Sequence, residues 1–507
     1  VFRLIITIGV IFLLWSGTAL SSAQAVTDPG KINAYLEDFK NRVTQYQLEN
    51  GMTFIILPEK EAPVISFVTY ADVGGANEDQ GKTGAAHFLE HLAFKGTSEI
   101  GTTNYEKEKE IINRLDKVHQ KLQTAQENGN QQQVKQLQEK FSKLQEQASQ
   151  YVVQNEYGKI VQTEGGVGLN AATSADYTMY FYSFPANKLE LWMSLESERF
   201  LDPVFREFYK EQQVILEERR LRTENSPVGK MVEEFLGTAF TQHPYQHPVI
   251  GYEDDIRNLR RQDIRDFFET YYVPQALTMA IVGDVNPEQV KELAEVYFGR
   301  FPTEDTPPEV TAVEPPQTET REVNLELDSE PWYFEGYHRP SINHEDHVVY
   351  EVIANLLSNG RTSRLYQSLV QDKQVALSAK GLSSFPGDKF PNLVLFYALT
   401  APNHTLEDVS EALTLEIEKL KQEPVSSQEL DRVKTQMQAS LLRSLDSNKG
   451  MARRLAEYDA KTGSWENLFT ELEAIAAVTP EDIQRVAQTT FTKDNRTIGR
   501  IRSEKNQ

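Results

Sequence analysis

His87-Phe88-Leu89-Glu90-His91 is the stretch on which the reading of this chain turns. On a helix, positions 87 and 91 lie one turn apart and project from the same face. Two imidazoles at that spacing can grip one metal ion. Glu90 lies on nearly the same face, where a water-activating base beside such an ion has to sit. Read blandly, the same five residues are two helical histidines and a surface glutamate. The flanking sequence decides between the two.

Working outward, residues 44–49 and 53–57 alternate as strands, and Asn50-Gly51 between them signals a tight hairpin. Val64–Ala71 is a third β-rich run, and a helix carrying the histidines is expected over 83–95. Residues 105–156 then break the pattern. Apolar residues fall at Leu115, Val118, Leu122 and Ala125, then at Val134, Leu137, Phe141, Leu144, Ala148 and Tyr151. These steps of three and four are the heptad spacing of a coiled coil. Asn128-Gly129-Asn130 interrupts them, so the pattern predicts two antiparallel helices inserted as a projecting hairpin. Such a hairpin serves as a docking arm or is an inert projection.

Strand pattern returns at 177–184, followed by helices over 188–200 and 206–224, a strand over 277–282 and a helix over 287–298. Residues 302–320, PTEDTPPEVTAVEPPQTET, have almost no large apolar side chains and read as an extended linker. Beyond it the pattern restarts, with strands at 321–328 and 331–338 and a helix at 346–358. A helix ending at Phe200, then Pro203-Val204, then a helix containing Val214, is echoed by one ending near Leu420, then Pro424-Val425, then a helix containing Val433. An internal duplication is the simplest reading. The second half lacks the histidine motif, because His344 and His347 have neither the spacing nor the glutamate, and one metal centre per chain follows. The domain plan is therefore 36–301, with 105–156 inserted, a linker at 302–320, and a non-metal repeat at 321–503. Each domain is expected to be α+β, a mainly antiparallel sheet with helices on one face, the pair closing as a clamshell.

Arg3, the apolar run from Leu4 to Trp15 and the small-residue ending Ala23-Gln24-Ala25 have the form of an export signal over 1–25. Cleavage leaves no membrane span and places the chain in a periplasm or outside the cell; an uncleaved membrane anchor is the alternative. The absence of cysteine excludes disulfides, thiolate metal sites and cysteine nucleophiles. A net charge of −23, from 75 acidic and 52 basic residues, argues against a nucleic-acid partner, which needs a basic face.

A peptidase zinc takes three protein ligands and keeps a fourth position for water. The third ligand is sought on 211–218, where Glu211 and Glu218 stand seven apart and share a helix face. Val214 and Ile215 suggest that this face is buried, and a buried carboxylate needs a partner such as a metal. Glu217 points elsewhere. His243 and His247 are also four apart, but Pro244 and Pro248 argue against a helix through them.

With these residues in view, the chain resembles the pitrilysin/insulinase family of inverted-motif zinc peptidases, in its two-domain, processing-peptidase-like form. Supporting landmarks are Leu92-Ala93-Phe94-Lys95-Gly96-Thr97, Gly165-Gly166, Asn170-Ala171-Ala172-Thr173, and the segments at His243, Tyr271 and Val282. The resemblance implies zinc, one per chain, on His87, His91 and Glu218. It also implies Glu90 as general base and Glu211 as an auxiliary acid. The segment Asn170, Ala171 and Thr173 would be a substrate-binding edge for peptides. Glu218 follows His91 by 127 positions (from 91 to 218), whereas the family spacing is about 75 to 80; removing the inserted hairpin restores it.

One departure matters. Family members place an Arg and a Tyr, seven apart, in the second domain to reach the substrate. Here Val370 and Leu377 stand in those places, and neither can donate a hydrogen bond. The expected function is an exported zinc metalloendopeptidase that is the metal-bearing subunit of a heterodimer, with a homologous partner supplying Arg and Tyr. The alternative is a non-catalytic structural or peptide-binding subunit of the same fold.

Overall fold

The computed structural model describes residues 29–504, so the export signal at 1–25 lies outside the described residues. The chain forms two compact units, one ending at Arg42 and one starting at Val43. Helix α1 (Pro29–Arg42) belongs to the former.

β1 (Thr44–Gln47) and β2 (Thr53–Pro58) pair antiparallel across the expected turn, where Gly51 takes φ +95°, a conformation open to glycine without strain. With β3 (Val64–Ala71), β4 (Val167–Thr173), β5 (Thr178–Pro185) and β6 (Leu277–Gly283) they form a six-stranded sheet of order β1-β2-β6-β3-β5-β4. Only β2 and β6 run parallel. The second sheet joins β7 (Arg321–Leu327), β8 (Trp332–Arg339), β9 (Ala376–Leu382), β10 (Asn392–Thr400) and β11 (Arg496–Ser503) in the order β7-β11-β8-β10-β9, with β7 and β11 parallel. Leaving β1 aside, the two orders match strand for strand. The duplication is a repeat of one topology. Residues 302–320 between the sheets carry no helix or strand, but they are pinned: Glu314 Oε2 accepts the N–H groups of Gln242 and His243 at 2.9 and 3.1 Å.

The first half carries α2 (Ala85–Leu92), α3 (Tyr105–Glu127), α4 (Gln131–Ser149), α5 (Glu156–Thr163), α6 (Leu189–Leu201), α7 (Phe208–Arg219), α8 (Pro227–Ala239), α9 (Glu253–Asn258), α10 (Arg261–Tyr271) and α11 (Pro287–Tyr297). The second carries α12 (His347–Ser358), α13 (Leu406–Gln422), α14 (Ser427–Ser444), α15 (Asn448–Thr462), α16 (Asn467–Ala477) and α17 (Pro480–Thr490). No helix among the described residues is long and apolar enough to cross a membrane.

Each half packs its own helices on one face of its sheet. Phe67 of β3 stacks on Trp192 of α6 at 4.2 Å, and Phe54 of β2 meets Phe298 beside α11 at 5.4 Å. The opposite face takes one helix from the other half. α15 crosses β3 and β6, burying Met451, Ala452, Leu455 and Ala456. α8 lies on the second sheet, with Met231 and Phe235 in one core with Phe334, Leu393, Leu395 and Ile501. Gly336 and Gly499 make this approach possible: a Cβ on Gly499 would sit 2.6 Å from Met231 Sδ, and one on Gly336 2.9 Å from Phe235 Cζ. The exchange ties the halves together, and loops add to it. Lys389 Nζ meets both oxygens of Asp72 at 2.6 Å, and Asp176 Oδ2 accepts the N–H of Asp388 at 2.8 Å.

The inserted hairpin forms as expected over α3 and α4, turning at Gly129 with φ +65°. Its base does not project freely. Ile111, Leu115, Val118 and Leu144 join the first core, and Asp116 accepts from Tyr209 Oη at 3.0 Å and from Arg261. Glu108 of α3 is buried against Arg206, whose Nε lies 3.0 Å from Glu108 Oε1. The same guanidinium donates to the carbonyls of Thr97 at 2.6 Å, Ile100 at 2.9 Å and Lys95. It thereby fixes the loop that leaves α2. Replacing Arg206 by Met strands a buried carboxylate and several carbonyls, and is expected to cost about 3 to 5 kcal/mol. Adding Glu108→Leu is expected to recover much of the loss, and urea denaturation of the two variants measures both effects.

Candidate metal centre

α2 is only eight residues long, and burial of Ala85, Ala86, Phe88, Leu89 and Leu92 holds it in the first core. Its N-cap is Gly84 at φ +89°, where a Cβ would come within 2.7 Å of Ile250 O. No side chain of the cap serves the free N–H groups. Glu78 does so from outside: its Oε2 accepts from Gly84 N at 2.9 Å and its Oε1 from Ala86 N at 2.8 Å. Burial pushes the Glu78 carboxyl up to about 8, against the two N–H groups, which favour its ionised form. Sequence reasoning missed this residue, which carries no local signal.

α7 reaches α2 through apolar packing. Phe208 stacks on Phe88 with ring centroids 4.5 Å apart and an interplanar angle of 9°. That contact sets Glu218 over the histidines. Glu218 Oε2 lies 3.8 Å from His87 Nε2 and 3.5 Å from His91 Nε2. Ligand atoms of His87, His91 and Glu218 all fall within 4.8 Å of one another. Among the described residues they are the one His/Cys/Asp/Glu group close enough to share an ion. Two imidazole nitrogens and a carboxylate oxygen are a donor set that fits zinc. His87 is suited to it: burial holds its imidazolium form down, to a pKa of about 3, with help from His91 and Arg222. The other Glu218 oxygen pairs with Arg222 at 2.9 Å.

Glu211 occupies a different place. Its Oε2 lies 3.4 Å from His91 Nδ1, and its Oε1 accepts from Lys95 Nζ at 2.5 Å. Burial raises this carboxyl, but the hydrogen bonds from His91 and Lys95 outweigh it and hold Glu211 below its ordinary value. A carboxylate on Nδ1 favours the tautomer that leaves Nε2 as the free lone pair. Glu217 points to solvent and pairs with Arg220 at 2.6 Å.

Glu90 is raised by burial, opposed by a hydrogen bond from Thr173 Oγ1 to its Oε2. Thr173 ends β4, so the segment read as a substrate edge is joined to Glu90 directly. β4 is an edge strand, paired to β5 alone. Its register slips between Val167 and Asn170, and Gly168 adopts φ +70°. Asn170 is exposed and its Oδ1 accepts from Ala171 N at 3.0 Å; Ala171 itself is buried.

The expectation of a wholly buried face on α7 is only half met. Ile215 is fully buried, but Val214 is 43% exposed and Leu221, one turn past Glu218, is 69% exposed. Apolar surface thus flanks the carboxylate, because no neighbouring element among the described residues covers that side of the helix. His243 and His247 flank a single 3₁₀ turn, Pro244–Gln246, with His243 Nδ1 accepting from Tyr245 N at 3.2 Å. In the second half, Val370 packs against the core and Leu377 on β9 is 55% exposed.

Comparison with known proteins gives the family. A family model described as Insulinase (Peptidase family M16) matches residues 55–144 and 142–253, and one described as Peptidase M16 inactive domain matches 258–437. The chain is 30% identical over 446 residues to the zinc protease PqqE of Helicobacter pylori, covering 87% of this chain and 88% of that one. It is 23% identical to a probable mitochondrial-processing peptidase subunit beta of Arabidopsis thaliana, over 90% of this chain and 77% of the relative. The crystal structure of a protease from Helicobacter pylori superposes with a TM-score of 0.76 at 29% identity, covering 91% of this chain and 99% of that one. The first family description falls on the half with the histidine motif, and the second on the half without it. This chain therefore belongs to the insulinase family of zinc peptidases, M16.

Proposed function

We propose that the chain is an exported zinc metalloendopeptidase and the metal-bearing subunit of a heterodimer. The observation that carries this reading is the convergence of His87, His91 and Glu218 beside a half-buried Glu90. One zinc per chain would be held by those three residues. Bound there, zinc would polarise a peptide carbonyl and acidify a water molecule. Glu90 would take the proton from the attacking water and deliver it to the leaving amine. Its burial makes it a stronger base than a solvated glutamate, and Thr173 aims it. Glu211 would act on His91 rather than on substrate. A peptide would add as a further strand along the free edge of β4, at Asn170, Ala171 and Thr173, with backbone hydrogen bonds supplying affinity.

The domain plan, 36–301 with its insertion and 321–503 after the linker, belongs to this proposal; its support is the pair of sheets on either side of 302–320. Export rests on the apolar run and Ala23-Gln24-Ala25, and a periplasmic or extracellular place follows from it. The partner rests on Val370 and Leu377, which offer no donor, and on the relative named as a processing-peptidase subunit. The same two residues favour the second reading, a non-catalytic structural or peptide-binding subunit.

Three measurements separate these. Glu90→Gln is expected to keep about one zinc and lose roughly 10²- to 10⁴-fold in peptide cleavage. Substantial remaining activity would assign the base elsewhere. Glu218→Ala is expected to lose zinc, read by metal analysis after dialysis; zinc retained at wild-type level would contradict its place as a ligand. The chain alone is expected to cleave peptides slowly and to gain on the order of 10²- to 10³-fold for each donor restored by an Arg- and Tyr-bearing homologous subunit. A fast rate without any partner would remove the heterodimer.

A further inference from the structure

The zinc reading leaves Lys95 and the inserted hairpin without a task. Lys95 lies three positions past α2. Its ammonium donates to Glu211 Oε1 at 2.5 Å and to Glu207 Oε2 at 3.3 Å. Glu207 accepts at its other oxygen from Gln154 Nε2 and Lys210 Nζ, both at 2.9 Å. Gln154 stands in the segment that leaves the hairpin. The backbone of Lys95 is held as well, since its carbonyl accepts from Arg206, the buried partner of Glu108 on α3. Glu207 keeps φ +54° at the start of α7, a conformation that a residue with a side chain holds only where its surroundings enforce it. The side chains of Lys95, Glu207 and Glu211 are 20%, 10% and 11% exposed, so water screens these contacts weakly.

We propose that Lys95 is a positioning residue for His91 and that the base of the inserted hairpin holds it in place. The inference rests on the zinc reading of His87, His91 and Glu218. Glu90, Glu211 and Glu218 crowd two imidazoles. An unpaired Glu211 is free to turn toward the cation as a competing ligand, or away from it. With an ammonium on Oε1, only Oε2 remains to meet His91 Nδ1, and the ring keeps one tautomer and one plane. The hairpin grips this lysine twice, through Glu108 and Arg206 on its backbone and through Gln154 and Glu207 on its side chain. The insertion is thus a buttress of the metal site.

The test is zinc affinity of the full chain, measured by competition with a chromophoric chelator, with unfolding of the metal-free forms followed in parallel. Lys95→Met is expected to weaken zinc binding by roughly 10- to 100-fold. Lys95→Arg, which keeps the charge, is expected to restore most of it. Glu207→Gln leaves the packing in place and removes the outer carboxylate that grips the lysine; it is expected to weaken binding in the same direction, and it decides the matter if Lys95→Met does not fold. Wild-type affinity in Lys95→Met, or in a folded Glu207→Gln, overturns the proposal. Equal weakness of the Met and Arg variants also overturns it, because charge is then not what the lysine supplies. A wild-type chain that binds no zinc fails in the first arm and sinks the zinc reading itself.

Discussion

Helix against helix is the constraint on which this molecule depends. The two histidines sit on α2, and the carboxylate that meets them sits on α7, 127 positions later (from 91 to 218). A face-to-face stack of Phe88 on Phe208 joins the two helices, and apolar packing of Ile215 and Leu216 completes the seat. Because interiors are close-packed, a shift in that contact moves Glu218 relative to both imidazoles at once. The inserted hairpin, Arg206 and the capping carboxylate of Glu78 hold the same two helices from outside. Much of the first half is scaffolding for one separation of a few ångströms.

Electrostatics follows from burial. His87 stays neutral because its surroundings exclude water, which suits a metal ligand. Glu90 is raised for the same reason and so gains basicity. Glu211 goes the other way, since His91 and Lys95 outweigh its desolvation. Two carboxylates beside the same imidazoles thus shift in opposite directions according to what faces them. Under the proposed chemistry this difference separates the base from the residue that orients a ligand.

Local patterning made a large share of this legible. Asn50-Gly51 marked the hairpin, Val64–Ala71 was bounded as it stands, and the heptad steps gave the two inserted helices. The repeat of proline-valine punctuation before long helices pointed to the duplication, and the strand orders repeat. The histidine spacing and the pair Glu211 and Glu218 picked out residues that the fold brings together. Long-range packing was not legible. The exchange of α8 and α15 between the halves depends on Gly336 and Gly499 lying under Phe235 and Met231, which no periodicity encodes. Glu78 and Lys95 look like ordinary surface charges in the sequence, and they act on the site through loops. Thr173 read as a substrate contact because its strand did, whereas its hydroxyl also reaches Glu90. Val214 read as buried because its neighbour Ile215 is.

The most direct test of the central claim is anomalous scattering from crystals of the zinc-treated protein, collected on either side of the zinc edge. The account predicts one peak per chain, bounded by the Nε2 atoms of His87 and His91 and by Glu218. A strong peak elsewhere, or none at that point in fully loaded crystals, would contradict it.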